Sequence, residues 1–69
     1  MSAEIIITLR MPEDEALALA QLVKRIDYDT CGRLSSRHDR YGGRTEQDTI
    51  WSAVAILQRD LAAAGFNPR

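Results

Sequence analysis

The sequence is short of most of the parts from which sites are built. Cys31 is the only cysteine in 69 residues and His38 the only histidine, so an internal disulfide is excluded and one chain cannot supply the three or four ligands of a zinc site. With neither a disulfide framework nor a cysteine and histidine cluster, the chain is expected to be intracellular, with no metal and no cofactor. Apolar runs are equally scarce. The longest, Ile5 to Ile7 and Ala53 to Leu57, fall far short of the ~20 residues of a bilayer span, so no membrane association is expected. The N-terminus has no basic segment followed by an apolar stretch, and no secretory signal is expected.

A basic excess is also missing. The net charge is −1 and the isoelectric point about 5.7, a poor balance for a protein that sits on phosphate. The charge is unevenly spread. Residues 32–44 hold Arg33, Arg37, Arg40 and Arg44 against Asp39 alone, a balance of +3, whereas five basic and nine acidic side chains leave −4 on the rest.

What is present begins with Ile5-Ile6-Ile7-Thr8-Leu9-Arg10-Met11-Pro12, preceded by Glu4 and followed by Glu13-Asp14-Glu15. Ile5, Ile7, Leu9 and Met11 share one side of a period-2 pattern, and Glu4, Ile6, Thr8 and Arg10 the other, which predicts a strand over residues 4–11 with one apolar face. No second stretch alternates in this way. The backbone groups of that strand need a partner, and an unpaired edge is an association surface, so a homodimer with an intermolecular two-stranded antiparallel ribbon is expected. A 69-residue chain also has too little core to offset easily an ordering cost on the order of 100 kcal/mol, which favours burial between copies.

Pro12 suits the first turn of a helix, and the acidic run after it suits the positive end of the helix dipole. A first helix is predicted over about residues 12–36, with Ala16, Leu19, Leu22, Val23 and Ile26 facing the core. Leu17, Gln21, Lys24, Tyr28 and Cys31 form a mixed second stripe. Residues 37–44 read as a basic loop ended by Gly42 and Gly43. Thr45-Glu46-Gln47-Asp48 is an N-cap signature, predicting a second helix over 45–64 with Ile50, Ala53, Val54, Leu57, Leu61 and Ala64 on one face and Trp51 at its margin. Gly65 stands at the expected C′ position, Phe66 can fold back, and Pro68 stops the helix. The whole chain, 1–69, reads as a single domain.

Ile7-Thr8-Leu9-Arg10-Met11-Pro12 followed by Leu19 and Leu22 resembles the opening of the ribbon-helix-helix family, and Thr45 to Gly65 resembles its last helix. That resemblance implies an α+β, mostly helical β-α-α homodimer, here with an extended first helix and loop. In such a dimer Ile5, Ile7, Leu9, Met11, Ile50, Trp51, Val54 and Leu57 form the interface. Most members insert the ribbon into the DNA major groove, which would make Ile6, Thr8 and Arg10 the base readers. Two features depart from the family. The connection between the helices is longer, and Glu4, Glu13, Asp14, Glu15, Glu46 and Asp48 place negative charge where phosphates would lie, so DNA binding is expected to be poor.

The length, the Ala- and Arg-rich character and the ending Leu61-Ala62-Ala63-Ala64-Gly65-Phe66-Asn67-Pro68-Arg69 are similar to small early proteins of Pseudomonas bacteriophages, among them the quorum-sensing anti-activators. This resemblance implies a homodimer in the host cytoplasm that inactivates a LuxR-type transcriptional activator. The type IV pilus assembly ATPase would be a possible second target. Leu17, Tyr28, Cys31, Arg33, Arg37, Arg40, Tyr41 and Arg44 are the expected partner-binding residues, because Arg and Tyr are frequent hot spots and the apolar members fall at helical spacing. A ribbon-helix-helix repressor is the alternative, and a toxin-neutralising module a third.

Catalysis is not expected. Ser35, Ser36, His38 and Asp39, or Cys31 with His38, have the residue types of a hydrolase or thiol site, but sequence neighbours in a polar segment are not held in triad geometry. Gly42-Gly43-Arg44 is too short for a phosphate-binding loop.

Overall fold

Among the described residues, three helices and one short hairpin follow a segment, residues 3–12, that is outside any helix or strand, in the order α1 (Glu13–Arg25), α2 (Tyr28–Arg33), β1 (Arg40–Tyr41), β2 (Arg44–Thr45) and α3 (Glu46–Ala63). The computed structural model describes residues 3–66; the stop assigned to Pro68 lies outside them. The molecule is a small, mostly helical α+β unit, and no helix among the described residues is long and apolar enough to cross a membrane.

Helix α1 starts where proline and acidic residues put it. Pro12 is its N-cap, with φ −58° and ψ 155°, and the Pro12 carbonyl accepts from the Ala16 N–H at 3.0 Å. Glu13, Asp14 and Glu15 fill the first turn and Lys24 and Arg25 the last, both favourable to the dipole. The helix then ends eleven residues before the predicted position. Ile26 is extended, and the Asp27 carboxylate accepts from the N–H and the hydroxyl of Thr30, both at 2.7 Å, capping a new helix. An aspartate that can bond the backbone ahead of it favours a helix start over a helix interior, which is why the apolar spacing of Tyr28, Cys31 and Leu34 does not carry α1 onward.

The break re-aims α2. It lies against the start of α3, and Gln47 donates through Nε2 to the Tyr28 carbonyl at 3.0 Å. Gly32 permits this approach, since a Cβ there would come within 2.5 Å of Gln47 Nε2. Cys31 turns inward and is 1% exposed, so it is a core residue; its predicted place on a partner-binding surface assumed one continuous helix.

The predicted loop at 37–44 contains a hairpin. Arg40 pairs with Thr45 and Tyr41 with Arg44, and Gly42 and Gly43 make the two-residue turn with φ of 61° and 84°. Positive φ at both central residues matches the twist of a two-residue hairpin, and glycine adopts it without a Cβ penalty. This ribbon lies within one chain and is distinct from the N-terminal strand expected from the alternation at 4–11.

Helix α3 follows its expected bounds closely. Thr45 Oγ1 accepts from the Asp48 N–H at 3.1 Å. At the other end Gly65 has φ 98°, its N–H reaches the Ala62 carbonyl at 3.0 Å, and the Phe66 N–H reaches Leu61 at 2.8 Å. These two bonds are those of a Schellman motif.

The core is built from small side chains. Ala16, Ala20, Val23 and Cys31 are the buried hydrophobics among the described residues. Leu19 and Ile26 are half-buried, and Leu22, predicted inside, is 55% exposed. The buried side of α1 is therefore the one that carries Ala16, Ala20 and Val23. On α3 Ile50, Val54, Leu57 and Leu61 are half-buried, while Ala53 and Ala64 of the predicted face are exposed. Gln58 Nε2 crosses to the Val23 carbonyl at 2.9 Å, adding a second donor to an acceptor that also takes the Ile26 N–H at 3.3 Å at the end of α1.

Candidate functional site: an arginine-lined groove

The segment between α2 and the hairpin has no regular structure, yet side chains from the first turn of α3 hold it at two points. Glu46 accepts from the Ser36 N–H through Oε1 and from the Tyr41 hydroxyl through Oε2, both at 2.7 Å. Asp48 accepts from the Tyr28 hydroxyl. The Tyr28 ring meets Trp51 edge-to-face, with centroids 6.1 Å apart. Two carboxylates beside an N-cap thus tie α2, the loop and the hairpin to one helix end.

Those contacts shape an open groove of about 510 Å³, with Arg33 from α2, Arg37 from the loop and Arg40 from β1 among its lining residues. The lining carries these three arginines and one acidic residue, Asp29, with Ser36, Gln47 and neighbouring polar residues completing the walls. Arg33 donates to Thr30 Oγ1 at 3.1 Å, and Arg40 donates through Nη1 to the carbonyls of Arg37 and Asp39, each at 3.0 Å. Among the described residues none of the three has an ion-pair partner, and the ion pair is Arg59 with Asp60, at 3.4 Å on an exposed part of α3. The hydrogen-bonding capacity left in the groove is thus mostly that of cationic donors, since each guanidinium has five N–H groups.

The expected partner-binding residues separate into three groups. Arg33, Arg37 and Arg40 come together in the groove, and Tyr41 and Arg44 sit beside it on the hairpin. Arg44 is turned along α3, donating to the Asp48 carbonyl at 3.0 Å and to Ser52 Oγ at 2.6 Å. Tyr28 is exposed but anchored, Leu17 is exposed on α1 away from the groove lining, and Cys31 is buried. Of the expected dimer-interface residues, Ile5, Ile7 and Leu9 are exposed, Met11, Ile50, Val54 and Leu57 are half-buried, and Trp51 is at the margin between those classes. Ile6, Thr8 and Arg10 are exposed. Ser35 Oγ donates to the Gly32 carbonyl and Ser36 Oγ accepts from the His38 N–H, so both hydroxyls serve loop geometry.

Glu46 and Asp48 were legible as helix-start acids, but nothing in the spacing assigns them to the two tyrosines. Their effect on titration is clear in direction. The Tyr41 hydroxyl and then the Ser36 N–H hold the Glu46 carboxyl below its ordinary value of 4.5, and the Glu46 carboxylate raises the Tyr41 phenol above 10.0. For Glu46, lowered on folding, the contribution to stability is present above the ordinary glutamate value and is lost as pH falls through the depressed one. For Tyr41, raised on folding, it is present below 10.0 and lost as pH rises through the elevated one. The hairpin should therefore keep its anchor across neutral pH and release it at both extremes. A pH titration of the Tyr41 ring resonances by NMR checks this, with the acid step absent in Glu46→Gln.

A small, mostly helical α+β fold with a cationic groove is the class of protein that these features define. The chain matches over residues 1–69 the model of a family of unknown function, DUF7706, and belongs to that family. No curated protein and no solved structure matches it.

Proposed function

We propose that the chain is a homodimeric, non-catalytic binding protein that inactivates a regulatory protein of a bacterial host, with the LuxR-type quorum-sensing activators as the expected target class. The type IV pilus assembly ATPase is a second candidate partner. The observation that supports association with protein is surface. A compact monomer of 7.7 kDa exposes about 4,300 Å² by the usual mass scaling, whereas one chain exposes 5926 Å². The excess, roughly 1,600 Å², is comparable to what one partner contributes to an obligate interface. Apolar side chains contribute to it: Ile5, Ile6, Ile7 and Leu9 lie open in a segment with no intrachain ladder. Pairing these segments between two copies supplies the missing ladder and leaves the arginine groove of each copy free for a different protein.

Ribbon-helix-helix repression is the second reading, favoured by the exposure of Thr8 and Arg10, which alternate in the sequence with Ile7 and Leu9. The two readings part in one titration. Added to a purified LuxR-type activator on its operator, the chain should release the DNA at stoichiometric ratio and show no operator shift of its own. A shift by the chain alone, weakening steeply with salt, would establish the repressor instead.

A further inference from the structure

We propose that the groove between α2, the 34–39 segment and the hairpin is a docking site for a carboxylate-rich peptide segment of the partner protein. In this site Arg33, Arg37 and Arg40 are the contact residues and Glu46 is a positioning residue. The inference rests on the protein-binding reading above and specifies which surface of the partner is held.

Donor and acceptor balance selects the ligand. The neutral groups of the groove are mostly engaged: Ser35 Oγ with Gly32, Ser36 N–H with Glu46, Gln47 Nε2 with Tyr28, and Thr45 Oγ1 with Asp48 N–H. The guanidinium groups are not. Arg37 makes no side-chain hydrogen bond among the described residues, and Arg33 and Arg40 retain most of their N–H groups. An acceptor-rich anion uses that capacity, and a planar carboxylate fits a guanidinium fork in a bidentate pair.

Charge around the groove decides between a peptide and a nucleic acid. Asp29 is in the lining itself, Asp39 is in the loop that leads to β1, and the chain as a whole carries −1. A duplex places phosphates at regular intervals over an extended track and would set several of them against these carboxylates. A short acidic segment needs only the local cluster of three arginines. The exposed ring of Tyr41 beside Arg40 offers apolar area to the peptide backbone or a neighbouring side chain.

Glu46 gives the proposal a test of sign. Its carboxylate lies near the groove and by charge alone opposes an acidic ligand. Its two bonds, however, fix the backbone at Ser36 and the ring of Tyr41, on either side of Arg37 and Arg40. Positioning therefore predicts that Glu46→Ala weakens binding of an acidic peptide, whereas through-space electrostatics predicts that it strengthens it. Glu46→Gln keeps an acceptor for the Ser36 N–H and can donate its amide N–H to the Tyr41 oxygen, so it should restore binding.

The experiment measures the anisotropy of a fluorescein-labelled tetraglutamate peptide against the full chain. Tetraglutamine is the neutral control and an unlabelled duplex oligonucleotide the competitor. The expected result is tetraglutamate binding that weakens as salt rises, with no binding of tetraglutamine. Arg33→Gln and Arg37→Gln should each raise Kd about fivefold, as for a partly screened ion pair, and Arg59→Gln on the far part of α3 should leave it unchanged. Arg37→Gln removes no intrachain hydrogen bond among the described residues, so its folding is not in question. Failure of tetraglutamate to bind, equal binding of tetraglutamine, indifference to Arg33→Gln and Arg37→Gln, stronger binding by Glu46→Ala, or a duplex that competes at lower concentration than unlabelled tetraglutamate would each overturn the proposal. A peptide failure alongside intact release of the activator from its operator would remove the groove and keep the inhibitor; the converse would keep the groove and remove the target class.

Discussion

Ile7→Asp should leave the chain monomeric, with sedimentation equilibrium giving the 7.7 kDa mass where the dimer proposed for the unaltered chain should give twice that value. In a single chain Ile5, Ile6 and Ile7 are all exposed, at 80%, 95% and 72%, and nothing distinguishes them. Pairing two copies would. Alternation places Ile5, Ile7 and Leu9 on the inner face and Ile6 with Thr8 and Arg10 on the outer one. Burying an isoleucine is worth about 1.5–3 kcal/mol, and the symmetry of a dimer counts the loss twice, so removal of Ile7 alone weakens association by about 3–6 kcal/mol. The buried carboxylate adds to that cost. Such a loss raises the dimer dissociation constant at least a hundredfold. Ile6→Asp is the matched control, since it adds the same charge one residue away on the face turned to solvent, and it should remain dimeric. Equal masses for the two variants would show that the segment does not pair in this register.

The parts of the fold that were legible are those written in short range. Thr45 with Asp48, and Gly65 followed by Phe66, bracket α3, because a cap depends on residues within one turn of each other. Pro12 with three acids likewise sets the start of α1 to within a residue. The break at Ile26 and Asp27 was also written locally, in the Asp27 and Thr30 pair, but the apolar spacing that runs on through Tyr28, Cys31 and Leu34 pointed to one long helix. Two short helices with a kink between them can carry the same spacing. Once the phase is reset at Asp27, Cys31 passes from the outer stripe to the core, and a residue that reads as surface becomes the most buried side chain in the lining of α2 and α3.

The groove shows the same division. Four arginines within residues 33–44 announce a basic surface in the sequence, and three of them do share one. What fixes them is long range in character: Glu46 reaches back ten residues to Ser36, and Asp48 reaches back twenty to Tyr28. Both acids were legible only as residues favourable to the α3 dipole and hostile to phosphate, because their tyrosine partners are assigned by tertiary packing. Gly42-Gly43 carried a hairpin signal that was hidden by strands of two residues each, too short for any alternation to register.

The register of α1 separates periodicity from packing most sharply, and a pair of substitutions reads it. Apolar spacing favours Leu22 as a core position, whereas Ala20, only 3% exposed, is the residue that is buried. Ala20→Glu should therefore unfold the chain. It forces a long side chain into a contact sized for a methyl group and strands a carboxylate with no partner, at a cost of several kcal/mol. A domain of this length has roughly 3–10 kcal/mol of stability in total, so that cost removes most or all of it. Leu22→Glu places the same side chain at a site more than half exposed and should keep the helical circular dichroism and the urea midpoint of the unaltered chain to within about 0.5 kcal/mol. If Leu22→Glu unfolded the chain and Ala20→Glu did not, α1 would have to be rotated toward its leucines. The Gln58 bond to the Val23 carbonyl, made in the present orientation of α1, would then be lost.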